Sequence, residues 1–275
     1  MKNNIANNKL VNRIIEIDIL RGICVFLMIF DHTIYDIFAV MPMIFNFPGH
    51  GGGIAYDIYE LAINYWIWEV REIMHYVICF FFLAITGICC SFSKSNIKRG
   101  GQLLLISLGL TIITLIAGLI IGDIDTVIVF GVLHCIATTL IIIGFLERFI
   151  PHKWFYLVVG IIMTSFGILL EIDSIYMSLS DGNALLTIFE TIIGITASGS
   201  DHFPILLNGG QIFIGVFLGK QFYSDRKSLF KNAKYKNNIV TFTGRNSLIV
   251  YFAHQVLIPI ILGIILLICG FHIKL

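Results

Sequence analysis

The stretch EIDILRGICVFLMIFDHTIYDIF, residues 16–38, decides the fold: it is long and apolar enough to cross a bilayer, yet it carries Asp18, Arg21, Asp31, His32 and Asp36. A span needs about 20 mostly apolar residues. An ionisable side chain inside the hydrocarbon costs several kcal/mol unless it meets a partner or a wet cavity. Residues 16–38 therefore predict a transmembrane helix with a chemically active face. Arg21 and His32 lie three turns apart on one side of such a helix, about 16 Å along its axis. Asp18, three residues before Arg21, falls near the same face. The spacing predicts an ion pair close to one membrane surface and an imidazole close to the other. Read from spacing alone, an interfacial pair with snorkelling side chains and a packing histidine fit equally well.

Working outward, further apolar runs follow near residues 70–91, 101–121, 126–146, 154–171, 203–222 and 246–270. With the first, they predict an all-α polytopic transmembrane bundle of about seven spans. A shorter run at 184–198 carries Glu190 and is a candidate re-entrant or interfacial helix. The whole composition agrees: 57% of the 275 residues are hydrophobic and 13% charged, with a mean hydropathy of +0.92. Soluble domains carry about 25% charged residues, so a water-soluble protein is excluded. The expectation is one integral membrane domain over residues 1–275. A net charge of +1 supplies no broad basic surface for nucleic acid. The polar N-terminus runs into an apolar stretch too long for a signal-peptide core and without a small-residue cleavage site, so the first span is expected to be retained. All six cysteines sit in apolar runs without CxxC or Cys/His spacing, so no metal site or disulfide framework is expected.

Charge asymmetry orients the chain, because Lys and Arg gather on the cytoplasmic side. With seven spans and the N-terminus inside, all of the 18 basic residues but Arg71 and Lys274 fall on the inner side. An eighth crossing at 184–198 would expel the basic 220–245 loop. The expected topology is N-terminus cytoplasmic and C-terminus outside, most simply in a bacterial cytoplasmic membrane. Acidic residues, among them Asp201, collect in the outer connections. The inner 220–245 loop suits anionic lipid headgroups or, through Arg245, the phosphates of a coenzyme A thioester.

Other chemistry-bearing residues stand at the run ends. His134 opens the fourth run near its expected outer end, and His254 lies about two turns into the last, on the expected inner half. Asp201 and His202 precede Phe203 and Pro204. Glu69, Arg71, Glu72 and His75 have the spacings of a helix-surface belt at the membrane interface. His50 sits in the outer segment FPGHGGG, residues 47–53, whose glycines fit a flexible turn or a nest of backbone N–H groups.

The run Ile17-Asp18-Ile19-Leu20-Arg21-Gly22, ending in His32, resembles the opening of the heparan-α-glucosaminide N-acetyltransferase catalytic-domain family. Phe81 to Gly87, Phe130 to His134, Phe203-Pro204, and Gly244 to Leu248 with Tyr251, His254 and Gln255 continue the resemblance in order. The Arg-to-His spacing is also similar to bacterial membrane acyltransferases that modify sugars. Where many of those continue Phe-Pro with a Pro-Trp pair, this chain has Leu207 and Asn208. Lysosomal members carry Asn where His32 falls and place the active histidine in the next outer loop, here the loop of His50. The resemblance leaves the catalytic role open between these two.

The resemblance implies a multi-pass acyltransferase moving an acetyl or similar group from cytoplasmic acyl-CoA to a glycan or amino-sugar acceptor on the outer side. It implies His32, His50 and His134 as catalytic candidates and Asp18, Arg21, Arg245 and His254 as donor contacts. Asp31, Asp36, Asp201 and His202 are the candidate acceptor contacts. The expected partners are the lipid bilayer and the sugar acceptor, with a homo-oligomer left open. A small-solute transporter is the alternative, supported by the 184–198 segment and the glycines of the sixth run. Against it stand the odd span count and the lack of an internal repeat.

Overall fold

The computed structural model describes residues 13–49, 52–123, 126–172, 183–196, 201–230 and 237–274. It is helical, with no strand among these residues beyond an isolated bridge between Phe45 and Ile273. Among the described residues, five helices are long and apolar enough to cross a membrane: Ile15–Ile44, Glu69–Cys90, Asn96–Ile120, Lys153–Glu171 and Ser247–Ile268. The protein is an integral membrane helix bundle. The backbone contacts divide it into two units, Met1–Phe82 with Phe230–Leu275, and Leu83–Leu229.

The first unit begins with α1 (Ile15–Tyr35), prolonged by a π-helical turn at Asp36–Val40 and a last turn at Met41–Ile44. His32 therefore lies mid-helix, and not near an outer end as the sequence suggested. The unit continues with α2 (Ile54–Trp66), the first part of α3 (Glu69–Cys90), α9 (Ile239–Arg245) and α10 (Ser247–Ile268). Asn238 caps α9 by accepting from Thr241 N–H at 2.9 Å, while Thr241 accepts from Asn238 N–H at 3.0 Å. Gly22 and Gly244 bring α1 and α9 into backbone contact: a Cβ on Gly22 would strike the Val240 carbonyl, and one on Gly244 the Asp18 carbonyl. Small residues permit this approach in a membrane, where packing replaces the hydrophobic effect between helices. Beyond α1, Met41, Phe45, Phe47 and Leu266 form a buried cluster. Lys274 N–H bonds the Ile44 carbonyl at 2.8 Å and pins the chain end there.

The second unit holds the rest of α3, then α4 (Asn96–Ile121), α5 (Val132–Leu146), α6 (Lys153–Ile172), α7 (Ala184–Ile193) and α8 (Gly210–Phe222). Ser95 caps α4, accepting from Lys98 N–H at 3.2 Å. Gly122 ends it at φ +81°, a left-handed turn that glycine adopts without strain. A Cβ on Gly118 would strike the Asp123 carbonyl, and one on Gly215 the Ala84 carbonyl of α3.

Two runs are shorter as helices than as apolar sequence. The 126–146 run becomes helical only at Val132, and 203–222 is a π-helical turn at Ile205–Gly209 followed by α8. In the 184–198 run, α7 spans 10 residues, about 15 Å, or half a hydrocarbon core. Glu190 is buried within it. Where the helices end, Lys220 pairs with Glu147 at 3.0 Å, and Asn96 Nδ2 donates to the same carboxylate at 2.9 Å.

Candidate functional site

The residues the sequence singled out fall into separate clusters, one of which joins two histidines. In the first unit, His32 on α1 and His254 on α10 place Nδ1 and Nε2 2.8 Å apart, with rings parallel to within 6°. His254 is buried, and its Nδ1 lies 3.3 Å from the carbonyl of Val250, one turn earlier on α10. A carbonyl only accepts, so this contact assigns the proton to His254 Nδ1. His254 Nε2 is then an acceptor, and His32 Nδ1–H donates to it. The imidazole of His32 is left with its lone pair on Nε2, the form able to take a proton or attack a carbonyl. Tyr251 packs edge-on against His254 and accepts from Gln255 Nε2 at 3.5 Å. The sequence expectation put these two histidines at different depths and gave His254 to the donor. The long α1 and the ring contact place them together.

Asp31, next to His32, leaves α1 about 100° away and belongs to a different set of contacts. Arg71 on α3 donates from Nε to Oδ1 at 2.9 Å and from Nη2 to Oδ2 at 2.5 Å, and Tyr65 O–H reaches Oδ1 at 3.1 Å. His75 Nδ1 stands 4.0 Å from Oδ2. The Trp66 ring covers the guanidinium of Arg71 at 3.6 Å from its centroid, and Tyr35 and Phe38 pack against Trp66. Asp31, expected among the acceptor contacts, is thus held by Arg71 and Tyr65. Arg71 and His75, expected on an interfacial belt, point instead toward α1. Tyr65 was not singled out at all: nothing in its own stretch marks it, and only the fold brings it to Asp31. Asp36 opens the π-helical turn and is half-buried.

At the start of α1, Arg13 grips Asp18 through Nε at 2.7 Å and Nη2 at 2.9 Å. The expected partner of Asp18 was Arg21, yet Arg13 reaches it from the segment leading into the helix. Arg21 and His32 do share one continuous helix, as their spacing required. Arg245 ends α9, stacked on Phe242 with Nη2 3.4 Å from Asn237 Oδ1. His50 lies outside the described residues.

His134, Asp201 and His202 belong to the second unit. His134 sits in the first turn of α5, where Nδ1 accepts from Gly131 N–H at 3.3 Å and Nε2 lies 3.1 Å from Thr111 Oγ1. Thr111 in turn donates to the Ile128 carbonyl at 2.8 Å, so Nε2 carries the proton. Both ring nitrogens are occupied in tying α4 to the start of α5. Asp201, at φ 55°, accepts from Val132 N–H at 3.3 Å, and Phe203 N–H bonds the Phe130 carbonyl at 3.1 Å. The packing around Asp201 pushes its carboxyl up to about 6. His202 Nε2 turns the other way and donates to the Thr191 carbonyl at 2.8 Å. These contacts make Asp201 and His202 clips between segments of their unit.

Long apolar helices that place ionisable side chains against one another define a multi-pass membrane protein with chemistry inside it. The chain belongs to the heparan-alpha-glucosaminide N-acetyltransferase catalytic family, with a match over residues 13–256. No curated protein and no solved structure matches it. Family membership makes it a membrane enzyme of the acetyltransferase type, in a family that generally uses acetyl-CoA as donor and a glycan as acceptor.

Proposed function

We propose that this chain transfers an acetyl or similar acyl group from acyl-CoA to an amino-sugar or hydroxyl acceptor, with His32 as the base. The contact of His32 Nδ1 with His254 Nε2 at 2.8 Å carries this reading, because it turns Nε2 of His32 into a free acceptor. The acceptor N–H or O–H loses its proton to that nitrogen while its heteroatom attacks the thioester carbonyl. The carbon–sulfur bond then breaks, and the departing thiolate takes the proton from the imidazolium. Holding the imidazole by a second imidazole keeps the resting site uncharged, which suits a half-buried position within a span.

Donor phosphates would meet the cationic start of α1 and end of α9, where Arg21 and Arg245 stand. Arg13 is already held by Asp18. With the N-terminus in the cytoplasm, these cations face the compartment that supplies acyl-CoA, and the acceptor reaches His32 from the outer side. Residues 1–275 then act as one membrane enzyme, in a bacterial cytoplasmic membrane.

The test is release of free CoA from acetyl-CoA by the purified chain with glucosamine as acceptor. His32→Ala abolishes release while the protein stays monodisperse in detergent, and His50→Ala retains most of it. Wild-type turnover by His32→Ala, with loss in His50→Ala, would move the base to the outer loop and refute the assignment.

A further inference from the structure

We propose that Arg71 is a positioning residue for His32: by gripping Asp31 it fixes the rotation of α1 at which His32 meets His254. The proposal rests on the reading of His32 as the base. Asp31 and His32 are consecutive, so any turn of α1 about its axis moves both. Their side chains leave the helix toward different neighbours, Asp31 to α2 and α3, His32 to α10. Whatever holds the first therefore aims the second.

The grip on Asp31 is unusually complete for a single carboxylate. The planar fork of Arg71 engages both oxygens, a geometry that tolerates little rotation. Tyr65 adds a third donor, and Trp66 lies over the guanidinium face. The Arg71 and Asp31 side chains are only 13% and 14% exposed, so solvent screens the pair weakly. Side-chain tips stand about 5–6 Å from a helix axis, so a rotation of about 10° displaces the His32 ring by about 1 Å. A displacement of about 1 Å at reacting atoms costs on the order of 100-fold in rate. The guanidinium need not touch either substrate to matter.

Acetyl-CoA turnover with glucosamine is measured on the full chain in detergent for wild type, Arg71→Met, Arg71→Lys, Asp31→Asn and His32→Ala. Size-exclusion profiles check folding. The expected result is a kcat lower by about 100-fold in Arg71→Met with KM unchanged, a similar loss in Asp31→Asn, and partial recovery in Arg71→Lys, whose point charge lacks the fork. Isotope-labelled histidine reads the same geometry without turnover: the His32 and His254 nitrogen resonances report a shared proton in wild type and lose that signature in Arg71→Met. Should Arg71→Met fail to fold, the kcat of Arg71→Lys and the kcat and nitrogen resonances of Asp31→Asn decide. Wild-type kcat and resonances in the folded variants, alongside an inactive His32→Ala, overturn the positioning role alone. An active His32→Ala overturns the functional reading beneath it.

Discussion

Replacing His254 by Phe removes the acceptor for His32 Nδ1–H while keeping a flat ring of similar size in α10. The contact at stake is 2.8 Å long, between a buried imidazole and a half-buried one. Its loss forfeits one neutral hydrogen bond, about 1 kcal/mol, and leaves a donor unpartnered in a poorly hydrated place, about 1–3 kcal/mol. Together these come to about 2–4 kcal/mol, and at about 1.4 kcal/mol per tenfold kcat falls by about 30- to 700-fold. The fall belongs in kcat because the ring is mis-tautomerised in the bound complex as well as in the free enzyme. His254→Gln offers an amide oxygen to the same N–H and recovers part of the rate. Free CoA release at varied acetyl-CoA and saturating glucosamine separates the outcomes. A higher KM for acetyl-CoA with unchanged kcat would place His254 at the donor, as the sequence suggested, and refute the relay through Val250 and His254.

Two further perturbations probe the frame around the site. Gly22→Ala thrusts a Cβ into the Val240 carbonyl where α1 crosses α9. Overpacking of this kind costs about 1–3 kcal/mol, read as a lower thermal midpoint in detergent, and an unchanged midpoint would mean the helices cross elsewhere. Asp201 has its carboxyl pushed up to about 6, so the fold favours its neutral form. That contribution is complete below about pH 4 and lost as pH rises through about 6. Asp201→Asn therefore stabilises the protein at pH 7–8 by on the order of 2 kcal/mol, with no gain near pH 4. A gain of equal size at both pH values would contradict the burial of this charge.

Much of α1 was legible in advance because helical periodicity is local. Asp18, Arg21 and His32 lie on one continuous helix, and ionisable groups in an apolar run mark themselves as unusual. The partners were not legible. Arg13 reaches Asp18 from outside the helix, where no periodicity rule applies. His254 meets His32 across 222 positions of sequence, a contact that no local periodicity announces. Arg71 illustrates the same limit. In sequence it belongs to a charged cluster at a span boundary, for which interfacial solvation is the cheapest explanation. Only the fold shows that its guanidinium turns inward onto Asp31. His134, singled out by a family motif, has its two ring nitrogens against Gly131 N–H and Thr111 Oγ1, contacts that its own stretch of sequence does not announce.

The described ion pairs follow one electrostatic rule. Arg13 with Asp18, Arg71 with Asp31 and Lys220 with Glu147 each join a cation to a carboxylate on another segment. Such pairing limits the charge exposed to a medium that solvates it poorly. The pair of imidazoles that α1 and α10 bring together is built differently, from two groups that carry no fixed charge. A carboxylate base in that position would need its own counter-ion, and the counter-ion would lower its basicity. An imidazole held by another imidazole avoids this conflict: it binds a proton only when a reaction delivers one, and the adjacent Asp31 carboxylate, balanced by Arg71, tempers the charge that forms. Under the proposed function, the base and the ion pair beside it would divide one task, the first moving the proton and the second setting the angle at which it moves.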